Sequence, residues 1–167
     1  MAWTTVPTFT AGQVIAASDL NTYLRDDSNY LYSRPHFMVY MASAASIATG
    51  GAVIPYDTVF LDSNTSWNAS PHWQYNIPPG EGGFWLFSVI NGWAANSTGQ
   101  RGVQVANDWS FMGVGGDPGN YGRQTVSAIV YTVAGDAWAV TGYQNSGGNL
   151  NTLSGINSVQ FSGIRIG

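Results

Sequence analysis

From residue 36 to residue 167 the sequence consists of short apolar runs separated by clusters of turn-forming residues. The runs recur about every 8–14 residues, and none has the helical period of about 3.6 residues. Glycine, proline, asparagine and aspartate supply the backbone angles that tight turns need. They fill the intervals as "PPGEGG", "NSTGQ", "GGDPGN", "AGD" and "NSGGN". Repeated short strands of this kind predict an all-β sandwich or barrel.

Two of the predicted strands are apolar on both alternate faces. They are "FWLFSVI" at 84–90 and "VSAIVYTV" at 126–133. Successive side chains of a strand point to opposite sides of its sheet. A second sheet can therefore cover one face, and a neighbouring subunit can cover the other. Phe84 and Tyr131 are candidates for contacts between subunits.

The closing segment "NSVQFSGIRIG" at 157–167 changes its alternation partway along. Val159 and Phe161 share one parity, whereas Ile164 and Ile166 share the other. The switch falls at Ser162-Gly163, and a glycine within a strand often marks a bulge or a close backbone approach. The alternative is a strand that is covered on both faces. The candidates for contacts between subunits in this strand are Phe161, Gly163 and Ile164.

The first 35 residues differ from the rest of the chain. The segment "SDLNTYLRDDSNYLYS" predicts a helix at about 18–33, with Ser18 or Asp19 as its cap. Pro35 ends the pattern, so we expect a docking or trimerisation segment at 1–35 and a β domain at 36–167. A helix of four turns is marginal alone in water, so it should pack on its own domain, on symmetry mates or on a docking partner. The candidates for these contacts are Leu20, Leu24 and Leu31.

The composition limits the classes of partner. Only 8% of the residues are charged, lysine is absent, and the formal net charge is −4. A basic surface for nucleic acid or for an anionic membrane is therefore not expected. So few charges oppose self-association weakly, which favours an oligomer or a larger assembly. The chain has no cysteine, which excludes disulfides and thiolate metal sites.

The N-terminal residues lack the basic region and apolar run of a signal peptide. No stretch reaches the roughly 20 apolar residues that span a bilayer. We therefore expect synthesis in the cytoplasm without secretion by a signal peptide, and no membrane insertion.

Three segments, in consistent order over about 80–167, resemble the globular head of complement 1q. They are "PPGEGGFWLFSVINGW", similar to a turn and aromatic-rich inner strand, "TVSAIVYTVAGDAWAV", similar to a hairpin, and "INSVQFSGIRIG", similar to the closing strand. The resemblance implies a jelly-roll β-sandwich of the complement 1q and tumour necrosis factor superfamily. It also implies a compact homotrimer, in which the closing strand lies deep inside with both faces covered.

Residues 1–35 resemble the start of small tailed-bacteriophage proteins that are encoded near tail genes. The shared pattern comprises Trp3, Phe9 to Gly12, Val14 to Ala17, and Leu20 to Asp26. Complement 1q heads normally follow a collagen stalk, and this chain has no Gly-X-Y repeat. The resemblance therefore implies a part of a virion, with contacts to other virion proteins through 1–35.

Groups that could carry catalysis are few and scattered. The chain has two histidines, His36 and His72, neither with a second ligand at metal spacing, and Glu81 lies in a predicted tight turn. Neither a nucleophile elbow nor a phosphate-binding loop occurs. A polysaccharide depolymerase usually needs two opposed carboxylates, and the sequence does not place such a pair. We expect no enzymatic activity and no cofactor other than a metal ion.

Calcium is the one metal that the resemblance brings in, because some complement 1q-like trimers hold it near their apex with loop oxygens. The candidate ligands are Asp108, Asp117 and Asn120, with residues 62–64 as an alternative. Calcium takes six to eight oxygen ligands, and one chain offers few carboxylates. The competing interpretation is that residues 117–120 are simply a β-turn.

Aromatic side chains beside amides are typical of glycan-binding surfaces. Trp93, Trp109 and Tyr121 lie in such surroundings and are the candidates for contact with a host surface glycan. Burial in a core or an interface is the alternative for each.

These observations predict a non-enzymatic structural protein of a tailed-phage virion. It would be a trimeric surface knob, located in the virion as part of a tail fibre or tail tip and active in host attachment. The alternatives are a capsid decoration or head-fibre protein, and a soluble lectin-like binding module of the complement 1q type.

Overall fold

The computed structural model describes residues 7–107, 115–118 and 122–167, with backbone alone for 115–118. The chain divides into two compact units, Met1–Arg34 and Pro35–Gly167. Within the described residues, no helix is both long enough and apolar enough to cross a membrane.

The first unit contains one helical run with a π-helical middle. It comprises α1 (Ala17–Leu20), a π-helical segment (Asn21–Asp26) and α2 (Asp27–Tyr32). The prediction that Ser18 or Asp19 caps the helix is wrong, because Ala16 holds that position. Asp19 lies three residues further along, where its carboxylate accepts a hydrogen bond of 3.3 Å from the Ala16 amide. An acceptor at that place satisfies one of the free amides of the first turn.

The three leucines of the predicted stripe remain exposed in this unit. Leu20, Leu24 and Leu31 keep 46%, 61% and 49% of their surface accessible. Asp27 and Tyr30 are the residues of the helical run that are buried. The predicted contacts of the leucines with a partner stay a prediction.

The second unit is a sandwich of two antiparallel sheets. The first, which we call the β7 sheet, has the strand order β10-β7-β13-β1-β4. The second, the β11 sheet, has the order β5-β6-β11-β8-β9, with β3 also paired to β11, and β12 pairs with β2 apart from both. The strands are β1 (His36–Tyr40), β2 (Ser46–Ile47), β3 (Ala52–Val53), β4 (Thr58–Asp62), β5 (Trp67–Asn68), β6 (Gln74–Asn76), β7 (Gly83–Gly92), β8 (Gln100–Ala106), β9 (Gly115–Pro118), β10 (Arg123–Thr132), β11 (Ala137–Gln144), β12 (Leu150–Asn151) and β13 (Val159–Arg165).

Aromatic rings fill the space between the two sheets. Phe37 of β1 stacks on Tyr75 of β6, with 4.0 Å between ring centroids and 11° between planes. Phe87 of β7 meets Trp138 of β11 at 5.0 Å. All four residues are essentially inaccessible to solvent. Because each ring contact joins one sheet to the other, the aromatic residues that alternate along the strands hold the sandwich together.

The closing strand β13 lies between β7 and β1 and has no bulge. Its register runs without a shift from Val159 opposite Asn91 to Arg165 opposite Trp85. Phe161 is fully buried in the core of its own chain, so its assignment to a subunit interface is corrected. The alternation continues through Gly163, which takes an inward position, and Ile164 then lies on the outer face.

Gly163 is required by the packing of the core. A Cβ at this position would lie 2.7 Å from Cδ1 of Phe87 and would also overlap the Phe37 ring. An added Cβ would point into the interior of its own chain rather than towards a neighbouring subunit. The place of Gly163 at a subunit contact stays a prediction. The change of parity in the sequence therefore reflects a glycine in an inward position rather than a bulge.

Candidate functional site

The outer face of the β7 sheet carries exposed apolar side chains in register. Phe84 of β7 is opposite Tyr131 of β10, and their rings meet edge to face with centroids 5.4 Å apart. The next row joins Ile129, Leu86 and Ile164 across β10, β7 and β13. Phe84 and Tyr131 remain 52% and 66% exposed. Three of the residues that the sequence proposed for subunit contacts, Phe84, Tyr131 and Ile164, thus share one open face.

A row of serines follows the two apolar rows. Ser127, Ser88 and Ser162 are aligned across the same three strands. The hydroxyl oxygens of Ser88 and Ser127 are 3.0 Å apart, and the Ser162 hydroxyl donates to the Ser88 carbonyl oxygen at 3.3 Å. These hydrogen bonds are made within the face, so they would persist if a partner covered the serines.

A hollow of about 250 Å³ opens on the same face, towards β1 and β4. It lies where the short Ser88 and Ser162 leave space among longer apolar side chains, and the backbone of Gly163 also lines it. Met38, Leu61, Leu86 and Ile164 line its remaining walls, together with His36 and Phe37. The aromatic pair and the hollow therefore lie at different places on one face.

This face is almost without charge. Among the outward positions of β7, β10 and β13, all in the described part of the chain, Arg123 at the far end of β10 is the one charged residue. A large exposed apolar patch is uncommon on a soluble monomer and marks an interaction surface. Chemically, this face can bury apolar area against a protein partner.

The glycan-contact prediction for Trp93 is corrected. Trp93 is fully buried, and its indole Nε1 donates to Oε1 of Gln124 at 3.1 Å. The amide of Gln124 in turn donates to the Arg101 carbonyl oxygen at 2.7 Å. A tryptophan that holds two neighbouring strands together in this way presents no surface to a ligand. The other two candidates, Trp109 and Tyr121, lie outside the described residues.

The predicted calcium ligands are not tested. Asp108 and Asn120 lie outside the described residues, and Asp117 is described only through its backbone pairing with Arg101 in the β8–β9 ladder. Within the described part of the chain, no group of three or more acidic, histidine or cysteine side chains could hold a metal ion. The alternative at 62–64 has a structural role, because the Asp62 carboxylate accepts from the Asn64 and Trp67 amides at 3.2 and 2.7 Å.

Glu81 also has a structural role. It is 3% exposed, and its Oε2 is 2.7 Å from Nη1 of Arg165. The pair joins the turn before β7 to the last residue of β13. A glutamate that is buried and held against an arginine has no open space for a substrate.

Sequence reasoning missed the serine row and the hollow. The signal was present, because Ser88, Ser127 and Ser162 each interrupt an apolar strand at its outward position. The pairing register that aligns them depends on the whole fold and could not be obtained from any one strand.

The comparisons with known proteins identify the fold alone. No protein-family profile and no curated protein matches the chain. Murine APRIL, in a crystal structure at pH 8.0, superposes with a TM-score of 0.65 and 10% identity over 80% of this chain and all of that one. The globular domain of zebrafish complement 1qA superposes with a TM-score of 0.57 and 11% identity, over 80% of this chain and 98% of that one. Eiger TNF from S. frugiperda superposes with a TM-score of 0.53 and 15% identity, over 80% of this chain and 91% of that one. The sandwich is therefore a jelly roll of the tumour necrosis factor and complement 1q type, as predicted.

Proposed function

We propose that this protein is a non-enzymatic assembly module that forms a homotrimer through the outer face of the β7 sheet. We further propose that it is a surface knob of a tailed-phage virion, at the tail fibre or tail tip. The open, nearly uncharged apolar face carries the first part of this proposal. The second part is supported by the resemblance of residues 1–35 to phage proteins.

The arrangement of the face favours a closed ring. The Phe84–Tyr131 pair lies towards the β10 edge, whereas the hollow lies towards β1 and β4. A two-fold contact joins identical patches, whereas contacts between different patches pass from one copy to the next and give a ring when the rotation between copies closes. A hollow of about 250 Å³ admits one aromatic side chain, and aromatic anchors of this kind dominate interface energies. The superfamily resemblance supports three copies in the ring.

The oligomeric state tests the assembly proposal. In mild buffer at micromolar concentration, native mass spectrometry should give three times 17.8 kDa. Tyr131→Asp places a charge in the proposed contact and should yield a folded monomer with an unchanged circular dichroism spectrum. Tyr143→Asp is the matched control, because Tyr143 is also exposed but lies on the β11 sheet. A parent protein that is monomeric, or a Tyr131→Asp variant that remains trimeric, contradicts the proposal.

The location in the virion is tested by copy number per particle. Quantitative mass spectrometry of purified phage should find a few copies per tail. Dozens of copies on the head would instead indicate a capsid decoration or a head fibre. A genome neighbourhood without capsid and tail genes would favour the remaining candidate, a soluble lectin-like module, which the likeness to a complement 1q head supports.

A further inference from the structure

A neutral groove lies at the edge of the β11 sheet and shares no lining residue with the hollow on the β7 sheet. The loop between β4 and β5 forms one side, and the residues after β6 form the other. Its lining includes Asn64, Ser66, Trp67, Asn68, Asn76 and Pro78, and its volume is about 480 Å³. Small-molecule sites range over about 300–1,000 Å³, so the groove has room for a ligand of moderate size.

The chemistry of the lining excludes an ionic ligand. Every residue that lines the groove is asparagine, serine, threonine, proline, tryptophan or isoleucine. Phosphates, carboxylates and metal cations would find no opposite charge there. A ligand that fits must be neutral, with many hydrogen-bonding groups and some apolar surface.

Three asparagines offer hydrogen bonds that the folded chain does not use. Asn76 Oδ1 accepts from Nε2 of the Gln74 side chain at 2.9 Å, and Asn64 Oδ1 accepts from the Ser63 hydroxyl at 3.2 Å. Within the described residues, the Nδ2 groups of Asn64 and Asn76 and the whole carboxamide of Asn68 have no protein partner. All three residues are half-buried and line the groove.

The loop that presents these amides is fixed by its own hydrogen bonds. The Asp62 carboxylate binds the backbone amides of Asn64 and Trp67, and the Asn76 amide donates to the Ser66 carbonyl oxygen at 3.2 Å. Thr65 adopts a φ of 54°, which is unfavourable for a β-branched residue. Such conformations persist where the surrounding structure enforces them, often at functional sites. The groove is thus preorganised, which reduces the entropy cost of binding.

We propose that this groove binds a neutral oligosaccharide. Each free carboxamide supplies donors, and Asn68 also supplies an acceptor, for the neighbouring hydroxyls of a sugar ring. Pro78 and Pro79 offer apolar surface to the C–H groups of the ring. An extended peptide would instead need a longer free strand edge for backbone pairing, and β5 at this edge has two residues.

A glycan array is the first test of this proposal, since it covers neutral and charged glycans from bacterial and animal surfaces together. We expect neutral glycans to be retained and a heparin-derived hexasaccharide not to be. For the best neutral glycan, two-dimensional NMR should show shifts of the side-chain amide signals of Asn64, Asn68 and Asn76. Binding restricted to charged glycans, or no binding to any glycan on the array, overturns the proposal.

Two variants locate the site. Asn68→Ala removes hydrogen-bonding groups that have no role in the fold, so the affinity should fall about tenfold, which corresponds to about 1.4 kcal/mol. Asn151→Ala is the matched control, because Asn151 is exposed but does not line the groove, and it should bind like the parent. Equal affinity of Asn68→Ala and the parent contradicts the proposal. Since both variants keep the β7 sheet unchanged, native mass spectrometry reports assembly separately from sugar binding.

Discussion

At the scale of single residues, Gly163 shows how closely the core is packed. Gly163→Val places atoms against the Phe37 and Phe87 rings, and overpacking of this kind costs typically about 1–3 kcal/mol. We expect the unfolding free energy, measured by urea denaturation, to fall by at least about 1 kcal/mol. Gly148→Val is the control, because a Cβ at Gly148 meets nothing within 4 Å. Equal stability of the two variants would show that the rings move aside.

Tyr56 makes the stability depend on alkaline pH. Burial raises the pKa of its hydroxyl far above the ordinary value, and burial is also the main cause of the raised pKa of Tyr75. The unfolded chain releases these protons above about pH 10, whereas the folded chain retains them. The contribution of these hydroxyls to the unfolding free energy is therefore fully present below about pH 10. It decreases as the pH rises further, by about 1.4 kcal/mol per pH unit for each such tyrosine.

Tyr56→Phe separates this effect from packing. The Tyr56 hydroxyl is buried and has no hydrogen-bond partner among the described residues, so its removal should leave stability at pH 7 unchanged or slightly higher. The loss of unfolding free energy between pH 10 and pH 11 should become smaller than in the parent. A variant with the parent's alkaline dependence, or one strongly destabilised at pH 7, contradicts this interpretation.

Trp93 shows what the sequence could and could not predict about a site. It continues the inward parity of Trp85, Phe87 and Val89 in β7, so its burial could have been inferred by extending the alternation of that strand. The partner of its indole, Gln124, lies 31 residues further along the chain. No local pattern indicates that contact, since it arises only when β7 and β10 pair.

At the scale of the elements, turn chemistry predicted the strands well where they are long. The long strands β7, β10 and β11 follow from apolar runs between turn residues. The two-residue strands β2, β3, β5 and β12 were not predicted, because so few residues carry no period. The helix was located but its π-helical middle was not, since such a segment reflects local packing rather than the hydrophobic period.

The helical unit should be separable from the sandwich. The sheets and the aromatic core belong to Pro35–Gly167, so deletion of residues 1–34 should leave a folded, trimeric jelly roll. If residues 1–35 bind other virion proteins, the truncated protein should no longer be incorporated into particles. Circular dichroism, native mass spectrometry and immunoblots of purified particles check these three outcomes. An insoluble truncation, or one incorporated like the full chain, contradicts the separation of roles.

At the scale of the whole molecule, the sequence predicted the architecture better than the surfaces. Turn spacing predicted a sandwich or barrel, and the resemblance over 80–167 implied a jelly roll of this type, which the superposition on solved structures confirms. The hollow beside Gly163 and the groove beside Asn68 were not predicted. The hollow is a space between strands that are distant in the chain, and the groove depends on the pairing of β5 with β6, so each exists only once the pairing register is set.

The position of β13 has a consequence for the order of events during synthesis. β13 is the last strand of the sandwich in chain order and is inserted between β7 and β1, which leave the ribosome much earlier. The interval between β1 and β13 is roughly 6–24 s at a translation rate of 5–20 residues per second. Until β13 emerges, the edges of β1 and β7 that pair with it have no partner strand, and the nascent chain carries an incomplete sheet. Long-range pairing of this kind is slow, so β1 and β7 can be joined into one sheet only after β13 has emerged.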